Sequence, residues 1–501
     1  MHTVCTKTPT KHDTPRQDTQ SGTCLSSVYC DGAWHAFTGQ RVCTLINPDT
    51  EEAYGLLQCA GETTVDQVVT SAVRAQGAWS ISSTSERLHV ISQITDLITS
   101  RADDLAALIS DEIGAPIGFA RTAQVGAAIS HLQATQQALA TIENTHQMGN
   151  DPAHLVCHEA VGVAALITPW NWPLNQIVLK LGAALAAGCA IVLKPSEHAT
   201  RTAIALAEII TETDLPPGVF NLLIGEAETG AQLAAHPAIN MISFTGSTRG
   251  GQHVAQTAAK RFARTSMELG GKSANLLFED CDLETALRQG VAHCFRNAGQ
   301  SCNAASRMLV ARPIYNDAVE LAAMIACNTP VGRPSESGAH IGPLVNRRQF
   351  DHVQSLIQQG IASEARLVAG GLGRPAHLPL GFYARPAVFA GVTADNVLFQ
   401  SEIFGPVLTM TPFDDEAEAI ALANATQYGL AAYVQTNDAA RAARVAAQLQ
   451  AGMVQINGRS RAAGAPFGGV KASGYGREGG LWGIRQFQEI KSISGMLIDA
   501  Y

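Results

Sequence analysis

Two short segments of this chain set a reactive side chain among glycines. Glu268 directly precedes Leu269-Gly270-Gly271-Lys272-Ser273, and Cys302 closes Gly299-Gln300-Ser301-Cys302. A cysteine serves as a nucleophile when it has thiolate character and room for an electrophile. A Gly-Gln-Ser turn offers both exposure and backbone N–H groups where the chain re-enters regular structure. Read alone, the same residue is a small buried hydrophobe, as most free cysteines are. Its surroundings decide between the two.

The elements that must position these residues alternate. Apolar runs Val161 to Ile167, Cys189 to Leu193, Val219 to Ile224 and Met241 to Phe244 are separated by helix-like segments 174–187, 201–213, 228–236 and 249–261. Strand, helix, strand, helix predicts a parallel sheet. Loops leaving those strands carry Asn171, Lys194, Gly225 and Gly246. Ligands of open α/β sheets sit beyond the carboxyl ends of the strands, so this half reads as a nucleotide-binding domain. After Gly271 a second alternation runs through Ala274 to Phe278, a helix from Leu283 to about Asn297, Met308 to Ala311, a helix 315–327, Val407 to Thr409, a helix 416–425, Ala431 to Gln435, a helix 438–450 and Met453 to Asn457. Glu268 and Cys302 fall where the two halves meet, and clefts between domains are favoured active sites. Upstream, Ser83 and Glu86 open a long amphipathic helix, broken near Arg101, that ends near Gly114. Ile484 to Met496 look strand-forming with no following helix to cover them, which predicts pairing outside their own domain.

Composition bounds the function. The chain is 46% apolar and 15% charged, against a usual charged share of about 25%. A disordered or fibrous chain is excluded, and much of the surface must face other protein. The net charge of −9, with no run of Lys or Arg, argues against nucleic-acid or membrane partners and for a small-molecule ligand. Eleven scattered cysteines without a C-x-x-C spell neither a disulfide framework nor a zinc site, and they point to a reducing, cytoplasmic setting. No histidine spacing suggests a metal, so none is expected. The apolar run Leu181 to Leu193, between Lys180 and Lys194, falls well short of the roughly 20 residues of a membrane-spanning helix. Residues 1–27, rich in Thr and carrying Asp13 and Asp18, read as a flexible tail.

Seven motifs now stand together: Ile167-Thr168-Pro169-Trp170-Asn171-Trp172-Pro173, Lys194-Pro195-Ser196-Glu197, Phe244-Thr245-Gly246-Ser247-Thr248, Glu268 to Lys272, Gly299 to Cys302, Glu402-Ile403-Phe404-Gly405-Pro406 and Pro466-Phe467-Gly468-Gly469. In order and spacing they resemble the NAD(P)-dependent aldehyde dehydrogenase family, of the hydrolytic, non-acylating type. The resemblance runs from about Val28 to the C-terminus.

The resemblance implies that Cys302 is the nucleophile, passing through a thiohemiacetal and a thioester. It places the amide of Asn171 with the backbone N–H of Cys302 at the developing alkoxide, although Asn171 is also simply a turn residue of Trp-Asn-Trp-Pro. Glu268 resembles the general base that activates the hydrolytic water, a role that needs a carboxyl raised toward neutrality. Glu478 is a second base in some relatives. Lys180 reads either as support for a proton relay or as a helix lysine snorkelling to solvent. For NAD, Lys194 and Glu197 match contacts to the adenosine ribose, where a carboxylate repels a 2′-phosphate and favours NAD over NADP. Gly246 and Ser247 open a helix able to hold the pyrophosphate, with Gly251 at the end of that turn. Glu402 matches the contact to the nicotinamide ribose, and Phe404 packs beside the nicotinamide, with Trp170 and Leu269 completing the cofactor set. Gly225 lets the adenine approach the backbone or is a plain strand-end turn.

The implied fold is α/β: a modified Rossmann-type nucleotide-binding domain over 28–139 and 161–270, a second α/β catalytic domain over 271–480, and a small β oligomerisation arm from 140–160 and 481–501, assembling a homodimer or homotetramer. Two rivals use the same scaffold. A CoA-acylating enzyme generally lacks the glutamate that Glu268 supplies, and a catalytically idle binding protein is free to lose Cys302, Glu268 or Asn171, all present here. The aldehyde stays open. In the loop Asn457 to Pro466, Arg459 and Arg461 suit a distal carboxylate, whereas Ala462, Ala463, Gly464 and Ala465 leave space for a bulky or aromatic group.

Overall fold

The strands Ala164–Thr168 (AALIT) and Ile191–Pro195 (IVLKP) are buried at every position, as strands covered on both faces must be. They lie at the centre of an eight-stranded sheet in the computed structural model, which describes residues 23–149 and 151–496. Five of its strands run parallel, in the order Arg264–Glu268, Met241–Thr245, Ala164–Thr168, Ile191–Pro195 and Phe220–Leu222. Ser27–Cys30 and Ala33–Ala36 extend one edge antiparallel. The two-residue strand Gly474–Tyr475 closes the other edge, pairing Met267 with Tyr475 and Glu268 with Gly474. That pairing carries the C-terminal motif of the chain to Glu268.

A second sheet of seven strands has the order Arg366–Ala369, Ala387–Ala390, Val407–Phe413, Arg307–Ala311, Ala274–Leu277, Ala431–Gln435 and Met453–Ile456, parallel except at its first pair. Thr145–Met148, Asp151–Ala160 and Gln488–Ser494 form a separate antiparallel ribbon, with Gln488–Ser494 on its edge. The α/β reading holds for both large sheets.

The apolar run after Lys180 divides between the helix Pro173–Ala187, buried at every position, and the strand Ile191–Pro195. Gly188, at φ +89, ends the helix in a conformation that favours glycine, and a Cβ there would lie 2.6 Å from Nη2 of Arg87. No helix among the described residues is long and apolar enough to cross a membrane. The capping box forms as expected: Ser83 Oγ accepts from the Glu86 amide at 3.2 Å, and the Glu86 carboxylate accepts from the Ser83 amide at 2.7 Å. The break near Arg101 separates the helices Thr84–Ser100 and Ala102–Ile113.

Three differences from the sequence reading have physical causes. Residues 1–22 lie outside the described residues, but Thr23–Leu25, assigned to the tail, is a strand, because it pairs parallel with Ala53–Cys59. The strand-forming stretch from Ile484 begins instead with a helical turn, Gly480–Gln486, which buries Ile484, and the strand starts at Gln488. The helix Arg347–Ala362 is absent from the sequence reading. Its polar residues outnumber the Phe350, Val353, Leu356 and Ile357 that it buries.

Candidate active site

The residues of the first sheet cluster at the carboxyl ends of its parallel strands. Trp170 and Asn171 follow Ala164–Thr168, Lys194 lies within Ile191–Pro195, and Glu197 opens the turn after it. Gly225 follows Phe220–Leu222, Gly246 and Ser247 join Met241–Thr245 to the helix Thr248–Ala259, and Leu269 leaves Arg264–Glu268. From the second sheet, Glu402 and Phe404 precede Val407–Phe413, and Cys302 precedes Arg307–Ala311.

Glycines bring these loops to touching distance. A Cβ on Gly271 would lie 2.3 Å from the carbonyl oxygen of Cys302, one on Gly270 2.2 Å from Glu402 Oε2, and one on Gly299 2.1 Å from the carbonyl oxygen of Gly405. The Gly271 amide donates to Glu402 Oε1 at 2.9 Å. The cysteine loop is braced from within: Asn297, at φ +54, donates from Nδ2 to the carbonyl of Asn171 at 2.8 Å. Asn171 in turn donates from its amide to the carbonyl of Gln300 at 3.0 Å, and Trp172 Nε1 donates to Ser301 Oγ at 3.0 Å. One hydrogen of the Asn171 amide is thereby fixed, which orients the other.

Electrostatics separate the two reactive groups from ordinary residues. Glu268 is 1% exposed, and neither carboxylate oxygen has a hydrogen-bond partner among the described residues. Burial, then the neighbouring Glu478, push its carboxyl well above the usual glutamate range, against the pull of Lys180, Arg477 and Arg461. Burial, then the carboxylates of Glu268 and Glu402, also push the Cys302 thiol up, while the backbone amides of Asn303 and Cys302 act in the opposite sense. Burial and the two carboxylates thus favour the thiol form of Cys302. Lys180 does not snorkel: it is 1% exposed, donates to Thr245 Oγ1 at 2.7 Å and pairs with Glu478. Glu478 is buried as well.

The cofactor residues predicted from sequence fit an anionic dinucleotide. Ser247 caps Thr248–Ala259 through the Gly250 amide, and the first-turn amides of a helix have no partners within it. A Cβ on Gly246 would lie 2.7 Å from Phe244, one on Gly251 2.4 Å from Leu269, and one on Gly225, at φ +150, 2.2 Å from Thr229 Oγ1. Burial pushes the Glu197 carboxyl up, but His198, Lys194 and the Ser196 hydroxyl outweigh it and hold the group below the ordinary glutamate value. Trp170 and Phe404 meet edge to face, ring centroids 5.6 Å apart. Burial raises the Glu402 carboxyl to about 7.

Sequence reasoning missed several supports. Lys272, fully buried and without a hydrogen bond at Nζ among the described residues, is pushed down to about 7 by burial and then by Arg307. Tyr433 donates to the carbonyl of Asn303 at 2.8 Å, and its ring centroid lies 4.8 Å from that of His293, the planes tilted by 56°. Arg461, read as part of a channel mouth, turns inward over the ring of Phe467 at 5.3 Å. Among the described residues, no group of three His, Cys, Asp or Glu side chains is placed to hold a metal ion.

The description "Aldehyde dehydrogenase family" fits residues 34–493. A curated relative from Pseudomonas sp, 3-succinoylsemialdehyde-pyridine dehydrogenase, is 45% identical over 93% of this chain and 98% of its own length. The crystal structure of an aldehyde dehydrogenase from Bartonella henselae matches with a TM-score of 0.93 at 44% identity, covering 94% of this chain and 99% of that one. A mutant of aldehyde dehydrogenase C from Pseudomonas syringae, in complex with NAD+ and octanal, matches with a TM-score of 0.92 at 43% identity, covering 94% and 97%. This chain belongs to the aldehyde dehydrogenase family. It is an oxidoreductase, of the kind that oxidises aldehydes with NAD.

Proposed function

We propose that this enzyme converts an aldehyde to its carboxylic acid by covalent capture on Cys302 and hydrolysis driven by Glu268, with NAD preferred over NADP. The observation that carries this reading is the buried, unpartnered carboxyl of Glu268 beside the cysteine loop, raised toward neutrality by burial. When bound, NAD supplies the hydride acceptor that the oxidation needs. Lys194, Glu197, Gly225, Gly246, Ser247 and Gly251 would hold its adenosine and pyrophosphate on the first sheet. Trp170, Leu269, Glu402 and Phe404 would hold its nicotinamide end at the junction.

The chain's own residues divide the remaining work. The Cys302 sulfur adds to the carbonyl carbon as the thiol proton passes to solvent water, and covalent capture splits one hard oxidation into two easier steps. The free hydrogen of the Asn171 amide and the Cys302 N–H receive the alkoxide, each such donor contributing about 3 to 4 kcal/mol to the barrier reduction. Once the acyl group is a thioester, Glu268 takes a proton from water as its oxygen attacks the acyl carbon. The acid leaves and the sulfur recovers a proton.

We assign the substrate to neutral, bulky aldehydes. Arg461 Nη1 donates to the carbonyls of Ala462 and Ala465, and Nη2 lies 3.5 Å from His131 Nε2. Phe119 and Trp172 meet edge to face at 5.5 Å near Ser301. The Pseudomonas relative is named for an aldehyde bearing a pyridine, and the P. syringae structure contains octanal. NADH absorbance across an aldehyde panel tests the whole reading. Neutral aldehydes should have a higher kcat/KM than semialdehydes of equal length, NAD should exceed NADP, and Glu197→Gln should narrow that second gap by removing repulsion against the 2′-phosphate. Equal use of both cofactors, or preference for a terminal carboxylate, overturns the corresponding part.

The ribbon of Thr145–Met148, Asp151–Ala160 and Gln488–Ser494 is assigned to a homo-oligomer, dimer or tetramer, in the reducing cytoplasm that the free cysteines suit. Its edge strand presents unpaired backbone groups and Ile490 at 70% exposure. Ser492→Pro removes a backbone donor from that edge and should shift the mass measured by light scattering toward the monomer. An unchanged mass places the interface elsewhere.

A further inference from the structure

Cys302 sits in a turn that is tied down on both sides. Upstream, the ties come from a loop of the first sheet: Asn171 donates to the carbonyl of Gln300 and Trp172 Nε1 to Ser301 Oγ, each at 3.0 Å. Downstream, they come from two side chains of the second domain, His293 in the helix Leu283–Phe295 and Tyr433 in the strand Ala431–Gln435. The Ala305 amide donates to His293 Nδ1 at 3.3 Å, and the Tyr433 hydroxyl donates to the carbonyl of Asn303 at 2.8 Å. Cys302 itself packs against the apolar cluster that contains Ala305 and Tyr433.

These contacts leave one arrangement of protons. A backbone N–H only donates, so Nδ1 is the bare nitrogen of a neutral imidazole and Nε2 carries the hydrogen. Burial, then Arg296, lower His293 to about 4, which keeps the ring neutral at physiological pH. Nε2 lies 3.3 Å from the Tyr433 oxygen, whose own hydrogen is committed to Asn303. His293 therefore donates to Tyr433, and Tyr433 to Asn303. Two apolar side chains would fill the same space. A buried polar chain costs desolvation instead, and when every member is satisfied it fixes one geometry. The other hydrogen bonds of this stretch are local, from the Ala304 amide to the carbonyl of Ser301 and from the Ser306 amide to that of Ala304. They shape the turn without tying Asn303 to the sheet.

We propose that Tyr433, oriented by His293, is a positioning residue for Cys302: the pair anchors the downstream limb of the nucleophile's turn to the second sheet and holds the sulfur where it can attack the aldehyde. The role rests on Cys302 being the nucleophile. Attack is sensitive to such placement, since a misplacement of about 1 Å can cost about a hundredfold.

The test is a single turnover, with enzyme in excess of octanal and NAD saturating, followed by NADH absorbance in a stopped-flow mixer. The rate constant rises with enzyme concentration to a plateau. Misplacement of the sulfur lowers that plateau, whereas partial unfolding leaves it and shifts only the concentration that reaches half of it. Tyr433→Phe keeps the ring and removes the hydroxyl, so its plateau should fall about tenfold to a hundredfold, with NAD affinity by calorimetry within a few-fold. His293→Asn keeps an acceptor for the Ala305 amide but loses the donor to Tyr433, and its plateau should fall several-fold. Because the two side chains act in one chain, the double variant should fall no further than Tyr433→Phe alone. An unchanged plateau in Tyr433→Phe, or losses that multiply in the double variant, overturns the role. If Tyr433→Phe fails to fold, His293→Asn carries the test, and an unchanged plateau there overturns it. Cys302→Ala in the same mixer separates the two readings. NADH formation by that variant sinks the nucleophile assignment, whereas a silent Cys302→Ala beside a Tyr433→Phe at full rate sinks only the role of Tyr433.

Discussion

Cys302→Ala will lose at least about a thousandfold in aldehyde-dependent NADH formation, the scale expected when a nucleophile is removed, while its affinity for NAD stays within a few-fold of the unaltered protein. The separation follows from where the residues stand. Cys302 belongs to a loop of the second sheet, whereas Lys194, Glu197, Gly246 and Ser247 leave strands of the first. Alanine is smaller than cysteine and removes no backbone donor, so the loop held by Asn297, Gln300 and Ser301 keeps its course. Calorimetric titration with NAD and absorbance of NADH measure the two halves independently. Appreciable turnover in the alanine variant removes Cys302 from the chemistry. Loss of NAD binding together with turnover shows that the loop also shapes the cofactor pocket.

The parts of the site legible in the sequence are those set by local chemistry. Glycine marks a close approach wherever it falls, so Gly246, Gly270, Gly271 and Gly299 can be recognised in one dimension, and each proves to sit where a Cβ would strike a neighbouring group. Strands buried on both faces read as continuous apolar runs, which supply four of the eight strands of the first sheet and five of the seven of the second. Contacts made across hundreds of residues leave no such trace. Gly474–Tyr475 is a strand of two residues, too short for any periodicity, yet it docks Glu478 beside Glu268. Lys180 offered two readings because a lysine on an apolar helix suits either, and only the arrival of Glu478 and Thr245 decides between them. Arg461 resembles any loop arginine until Phe467 and His131 are brought beneath it.

Glu268→Gln should leave the first half of the reaction running and stall the second. Glutamine keeps the volume of the buried side chain but cannot accept the proton of the attacking water, so deacylation should slow by about a hundredfold to ten-thousandfold, the usual contribution of a general base. Mixing the variant with NAD and octanal should give a burst of NADH near one equivalent followed by a slow steady rate, and mass spectrometry should find an octanoyl adduct on Cys302. The unaltered enzyme should turn over without such accumulation at neutral pH. Its rate should fall as the pH drops through a value above the ordinary glutamate range, because burial and Glu478 raise the carboxyl and protonation abolishes the base. In Glu268→Gln that limb should vanish from the deacylation step. If the acid limb persists with little change in rate, the proton goes to another group, and Glu478, buried and already paired with Lys180, is the carboxyl placed to receive it. A double variant with Glu478→Gln would then lose both the limb and the rate. If Glu268→Gln gives neither burst nor adduct, the carboxylate is needed earlier, to take the proton from a thiol that its own burial keeps protonated.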